Sequence, residues 1–196
     1  MDEVKYSVNI TSEEIATYNL SWFKGEIVLV EDMKTFWSVL PRLKSSTLLG
    51  FDTETRPVFK KGRRNKVSLV QLSTHNLAVL IRINKIGLPD ELMSILSDPS
   101  IIKTGVALRD DLRFLSGVKK FSPAGFIDLQ PFVKDFGIEC SGLKKLTAIV
   151  LGFRISKNQQ VTDWEAERLS DAQQVYAATD AWVCYEIYRK LTNGLN

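Results

Sequence analysis

The sequence has a single histidine, His75, and two cysteines, Cys140 and Cys184. That scarcity excludes a disulfide framework and any zinc module built from Cys and His pairs. It also narrows nucleophilic catalysis, because a His-dependent triad would have to use His75. No apolar run approaches the roughly 18 residues of a membrane span, so no membrane partner is expected. The opening MDEVKYSVNITSEE is polar and acidic and lacks the pattern of a secretory signal. The expectation is a protein of the reducing cytoplasm, its cysteines serving as small buried hydrophobes. No G-x-x-x-x-G-K-[ST] loop is present, so no nucleoside triphosphate is expected as a partner.

What is there is ordinary in amount and uneven in placement. The 196 residues are 44% hydrophobic and 25% charged, which fits one large core and no disordered or fibrous chain. Lys and Arg number 26 against 23 Asp and Glu, a formal net charge of +3. Arg56, Lys60, Lys61, Arg63, Arg64 and Lys66 crowd one short stretch that holds no acid. Without them the chain is mildly acidic. The run reads as a solvated hairpin or as an electrostatic guide for a phosphate backbone.

Hydrophobic spacing divides the chain into elements without a linker that would split it. Residues 1–25 read as an irregular or edge arm ahead of a single domain over 26–196. Glu26–Val30 reads as a strand. Asp32 can cap a helix over 33–44, with Pro41 disturbing its last turn. Leu48–Glu54, Val67–Thr74 and Leu77–Ile83 read as three strands of an antiparallel meander, with His75-Asn76 as a turn. After a short helix around Leu92–Leu96, strands at 101–106 and 125–127 alternate with helices. Later helices are expected over 129–136, 142–151 and 171–192, the first of these capped by Asp128. A meander followed by alternation implies an α/β fold, with a mixed sheet flanked by helices.

Three acidic pieces carry the chemistry. Asp52 and Glu54 are two apart on an apolar strand and so share one face. They suit a hard cation with oxygen ligands, or else form a solvated strand end answered by Arg56. Asp110 and Asp111 follow the Gly105 strand at a helix start, where one of them can serve the helix dipole. Tyr176 and Asp180 are one turn apart on a helix face, as a functional pair or a satisfied buried one.

Taken together, D-x-E on a strand, an acid after a Gly-containing strand and a late Y-x-x-x-D resemble the DEDD superfamily of 3′→5′ exonucleases, in its tyrosine-bearing branch. The stretches GFDTE, KVSLVQLS, KTGVALRDDLRFL, SGLKKLTAIVLG and TDWEAERLSDAQQVYAATDAWVCYEIY strengthen that resemblance. It covers about Glu26 to Leu191 and lies nearest to ribonuclease D and the exonuclease of the Werner-syndrome helicase family. It implies a ribonuclease H-like sheet and two divalent cations, Mg²⁺ or Mn²⁺. Asp52, Glu54, Asp111 and Asp180 are then the metal carboxylates, Asp111 being six residues after Gly105, and Tyr176 orients the attacking water. The implied substrate is DNA or RNA with a 3′ end, released as nucleoside 5′-monophosphates.

Around that centre, Arg56, Lys60, Lys61, Arg63, Arg64, Lys66 and Lys157 are expected to bind nucleic acid. Phe59 and Trp164 could stack bases, although Trp164 also suits core packing. Asp163 and Glu165 read as neighbours of the site or as solvated loop acids. An endonuclease, or a non-catalytic nucleic-acid binder of the same fold, would share most of these features. Blocking the 3′ terminus separates the first from an exonuclease, and metal-dependent cleavage separates the second.

Overall fold

Six short strands form the centre of the molecule in a computed structural model that describes residues 6–56 and 67–193. They are β1 (Glu26–Val30), β2 (Leu48–Thr55), β3 (Val67–Ser73), β4 (Leu77–Ile81), β5 (Ile102–Gly105) and β6 (Phe126–Asp128). Side by side they run β1-β4-β3-β2-β5-β6. β2, β3 and β4 form the expected antiparallel meander, while β5 and β6 add in parallel beyond β2. β1 pairs in parallel with β4 at the other edge. The helices are α1 (Ser12–Thr17), α2 (Met33–Lys44), α3 (Ile83–Ile86), α4 (Asp90–Leu96), α5 (Leu108–Val118), α6 (Leu129–Phe132), α7 (Leu143–Leu146) and α8 (Asp171–Asn193).

β2 is the strand on which the site is built, and its two faces do different things. Leu49 and Phe51 are fully buried in a core shared with Phe36 and Leu43 of α2, Leu92 of α4 and Leu115 of α5. Each such burial contributes roughly 1.5–3 kcal/mol, which anchors the strand whose other face carries costly carboxylates. That other face, with Gly50, Asp52 and Glu54, lies under α8. A Cβ on Gly50 would sit 1.9 Å from the Ala181 carbonyl oxygen, so the missing side chain lets the α8 backbone rest directly on β2. Pairing of β2 with β5 ends at Gly50↔Thr104, yet β2 continues to Thr55. Asp52 and Glu54 therefore stand in a crevice at the carboxyl end of a parallel pair, where open α/β sheets place ligands.

Asp128 fixes the approach to α5. Its carboxylate accepts from the backbone amides of Ala107 (3.1 Å), Leu108 (3.0 Å) and Gln130 (2.9 Å). It thus caps α6, as expected, and also holds the left-handed turn at Ala107 (φ 59°, ψ 40°) that opens α5. Asp128→Ala leaves three amides without their charged acceptor and is expected to cost about 2 kcal/mol or more. Urea unfolding measures it, and an unmoved midpoint would remove this role.

Four expectations change. The arm is not wholly irregular: Thr11 and Glu14 form a capping box, each side chain answering the other's amide, and α1 follows. Pro41 does not break α2, which continues to Lys44. Pro41 and Trp37, whose carbonyl loses its partner, both lie on the exposed side where water replaces the bond. The 129–136 helix tightens to 3₁₀ geometry over Val133–Phe136 and stops at left-handed Gly137. The 142–151 helix widens to π geometry over Thr147–Leu151, where the Thr147 hydroxyl donates to the Leu143 carbonyl (2.7 Å).

Candidate active site

Strand alternation and helix pitch together bring three carboxylates to one point. Asp52 and Glu54 project from β2 and Asp180 from α8, and one oxygen from each lies within 4.8 Å of the others. Glu54 is 8% exposed and Asp180 2%. Tyr176, one turn before Asp180, lines the same cavity of about 420 Å³, with Lys157 and the segment Ser141–Lys145 as further walls. Trp164 is fully buried, its ring centre 6.0 Å from that of Tyr176, so it supports the phenol from behind.

The electrostatics are those of crowded acids away from water. Burial, then the charges of Asp180 and Asp111, hold the Asp52 carboxyl well above the usual range. Burial and Asp52 push Glu54 up to about 9. Asp180 and Asp111 are also raised, chiefly by burial. The Tyr176 phenol is raised by burial and by Asp180 and Glu54, so it keeps its proton at neutral pH. Burial alone would lower Lys157, but Asp180, Asp52 and Glu54 outweigh it and raise it instead. Its ammonium lies 2.8 Å from Asp180 Oδ2. Asp180 Oδ1 is buried with no partner in hydrogen-bond geometry among the described residues, although the Tyr176 hydroxyl lies close enough to act on the Asp180 carboxyl. Three carboxylates, one with an orphaned oxygen, fit a hard divalent cation: every donor is oxygen, and only a cation relieves all three charges together.

The remaining expected residues are placed as follows. Asp111 is outside the group of three. It stands on α5, over the opposite face of the sheet, near enough for its charge to help raise Asp52, and accepts a hydrogen bond from the Thr53 hydroxyl. Arg56 pairs with Glu165 at 3.0 Å, so Glu165 is a partner within the protein and more than a solvated loop acid. Lys157 stands among the carboxylates. Phe59, Lys60, Lys61, Arg63, Arg64 and Lys66 lie outside the described residues.

Two features escaped the sequence reading. Gln71 sits opposite Asp52 in the β2–β3 register, fully buried, with its amide unpartnered among the described residues. A lone amide in the apolar run VSLVQLS was its signal. The wall at Ser141–Lys145 was visible only as part of SGLKKLTAIVLG.

With the geometry established, comparison with known proteins defines the class. The sequence model of the 3′-5′ exonuclease family matches residues 27–196, and the chain belongs to that family. It is 36% identical over 174 residues to "Exonuclease 3′-5′ domain-containing protein 2" of Drosophila melanogaster, covering 85% of this chain and 29% of that protein. The chain thus spans less than a third of that relative's length. Among solved structures, the Nibbler exonuclease domain of Aedes aegypti superposes with a TM-score of 0.79 at 25% identity, covering 89% of this chain and 92% of that one. Escherichia coli RNase D, described as an exoribonuclease involved in structured RNA processing, gives 0.74 at 27% identity over 85% of this chain and 44% of its own. The mixed sheet with its flanking helices is the ribonuclease H-like fold that the motifs implied.

Proposed function

We propose that residues 26–196 act as one metal-dependent 3′→5′ exonuclease domain, with 1–25 as its arm, hydrolysing the terminal phosphodiester of DNA or RNA to nucleoside 5′-monophosphates. The observation that carries this is the meeting of Asp52, Glu54 and Asp180 beside the Tyr176 phenol in an open cavity. Asp52, Glu54 and Asp180 would hold two divalent cations, Mg²⁺ or Mn²⁺, with Asp111 completing the set. Such ions, when bound, activate a water and neutralise charge on the phosphate and leaving oxygen.

The chain's own groups do the positioning. Tyr176, protonated at neutral pH, offers a hydroxyl that orients the attacking water while Trp164 restrains its ring. Thr53 holds the Asp111 carboxylate toward the strand end. The basic residues Arg56, Lys60, Lys61, Arg63, Arg64 and Lys66 follow the metal strand directly in sequence and guide the anionic tail.

A 5′-labelled oligonucleotide tests the reading. A ladder shortening from the 3′ end with Mg²⁺ or Mn²⁺, and stopped by a 3′ block, is expected. No cleavage with either ion, or cleavage that ignores the block, would sink it. Tyr176→Phe should lower kcat about a hundredfold while leaving Mn²⁺ affinity unchanged; undiminished turnover would remove the water-orienting role. Neutralising Lys60, Lys61, Arg63 and Arg64 together should flatten the salt dependence of oligonucleotide binding. An unaltered slope would assign that run to solvent.

A further inference from the structure

We infer that Lys157 is a built-in counter-ion of the acidic cluster, which a divalent cation must displace from Asp180 before the site is loaded. The inference rests on the reading of Asp52, Glu54 and Asp180 as cation ligands.

The geometry is that of one lysine serving a cluster of three carboxyl groups. Lys157 Nζ lies 2.8 Å from Asp180 Oδ2, with 32% of the lysine side chain and 3% of the aspartate side chain exposed. The same nitrogen is 5.5 Å from the centre of the Tyr176 ring, so it lies between the carboxylates and the phenol. Asp180 therefore offers a cation one vacant oxygen, Oδ1, and one already taken. An incoming divalent ion meets a like charge at its own binding position, and the two cannot share Oδ2 at close range.

The chain makes that displacement feasible. Lysine is a compact charge on a flexible four-carbon stem, able to leave without breaking a forked contact as arginine would. Lys157 sits on an irregular connection between the π-helical stretch at Thr147–Leu151 and α8, where no strand ladder or long helix pins the backbone. Losing one charge and gaining two suits three clustered acids. The consequence is a site that stays closed on itself when divalent ions are scarce, and that frees a lysine at the cavity wall when they bind.

Mn²⁺ binding without nucleic acid, followed by calorimetry, tests this. Lys157→Met should bind Mn²⁺ about tenfold tighter or more, because a repelling unit charge has gone from the site. Lys157→Arg, which keeps the charge and adds a forked contact, should bind Mn²⁺ no tighter than the wild type. Equal or weaker Mn²⁺ binding by Lys157→Met would overturn the inference and leave the cation site standing. No Mn²⁺ binding by either protein would overturn both. A second measurement needs no variant: acylation of lysine amines read by mass spectrometry. Lys157 of the wild type should be protected in chelator and label several-fold faster in saturating Mg²⁺. Unchanged or slower labelling with Mg²⁺ would equally defeat it.

Discussion

Asp52→Asn is expected to lower 3′-end hydrolysis about a thousandfold or more, equivalent to about 4 kcal/mol of transition-state stabilisation, while raising the melting temperature of the metal-free protein. The two effects have one origin. Asp52 lies within 4.8 Å, oxygen to oxygen, of both Glu54 along β2 and Asp180 across on α8. In the proposed loaded site it would be one of the oxygen donors. Without ions its carboxyl is held well above the ordinary range, by burial and by Asp180 and Asp111. The sign follows from the direction of that shift. An acid with a folded-state pKa above its unfolded value of about 4 favours folding most below that value. The contribution drains away as pH climbs through the folded one. Glu54, pushed up to about 9, extends the window. The metal-free wild type should therefore lose stability steadily from about pH 5 to pH 9, and Asp52→Asn should flatten that decline. Thermal melts in chelator across this range check the second effect, and a labelled oligonucleotide checks the first. Wild-type cleavage by the variant would end the assignment of Asp52, and an unchanged pH slope would end the account of its repulsion.

Gly50→Ala is the second large effect. The new Cβ would meet Ala181 O at 1.9 Å and the Ala181 carbonyl carbon and Tyr185 amide at 2.9 Å, all backbone atoms with no side chain to swing aside. Either β2 or α8 must move, at an expected cost of about 3 kcal/mol or more. The activity of the folded fraction should fall about a hundredfold as well, because the displaced helix carries both Tyr176 and Asp180. Gly117→Ala is the contrast. It lies exposed in α5 with nothing near its Cβ position, and it should gain about 0.5–1 kcal/mol from helix propensity. Urea unfolding of both variants decides the matter. A Gly50→Ala protein within about 0.5 kcal/mol of wild type would show that the close approach of helix and strand does not govern the site.

Local spacing explains what could be read from the sequence. The period of two puts Asp52 and Glu54 on one face, the period of four aligns Tyr176 with Asp180, and both pairs stand as read. The meander was legible because its strands are apolar and the β3–β4 turn is short. Asp111 was reached by counting from Gly105, but its bond to Thr53 depends on a helix crossing the far side of the sheet, which no local period encodes. Thr53, between the two acids on the strand, points to the other face, and that orientation lets it meet Asp111. Lys157 was read as a substrate contact because its segment has no periodicity to reveal where the chain runs. Thr11-x-x-Glu14 was a readable start signal for α1, obscured by the polarity around it. The basic run after Arg56 remains a matter of charge and position along the chain.

The join between β2 and α8 also bears on when this chain becomes dangerous to nucleic acid. The proposed catalytic groups come from early and late in translation, and a growing polypeptide that has released everything before α8 holds Asp52, Glu54 and Asp111 without Tyr176 or Asp180. The same is true of a product clipped before residue 171. Neither has the Tyr176 phenol or Asp180, so on the proposed function a half-made or nicked copy would be inert, and competence would arrive in one step with the closing helix.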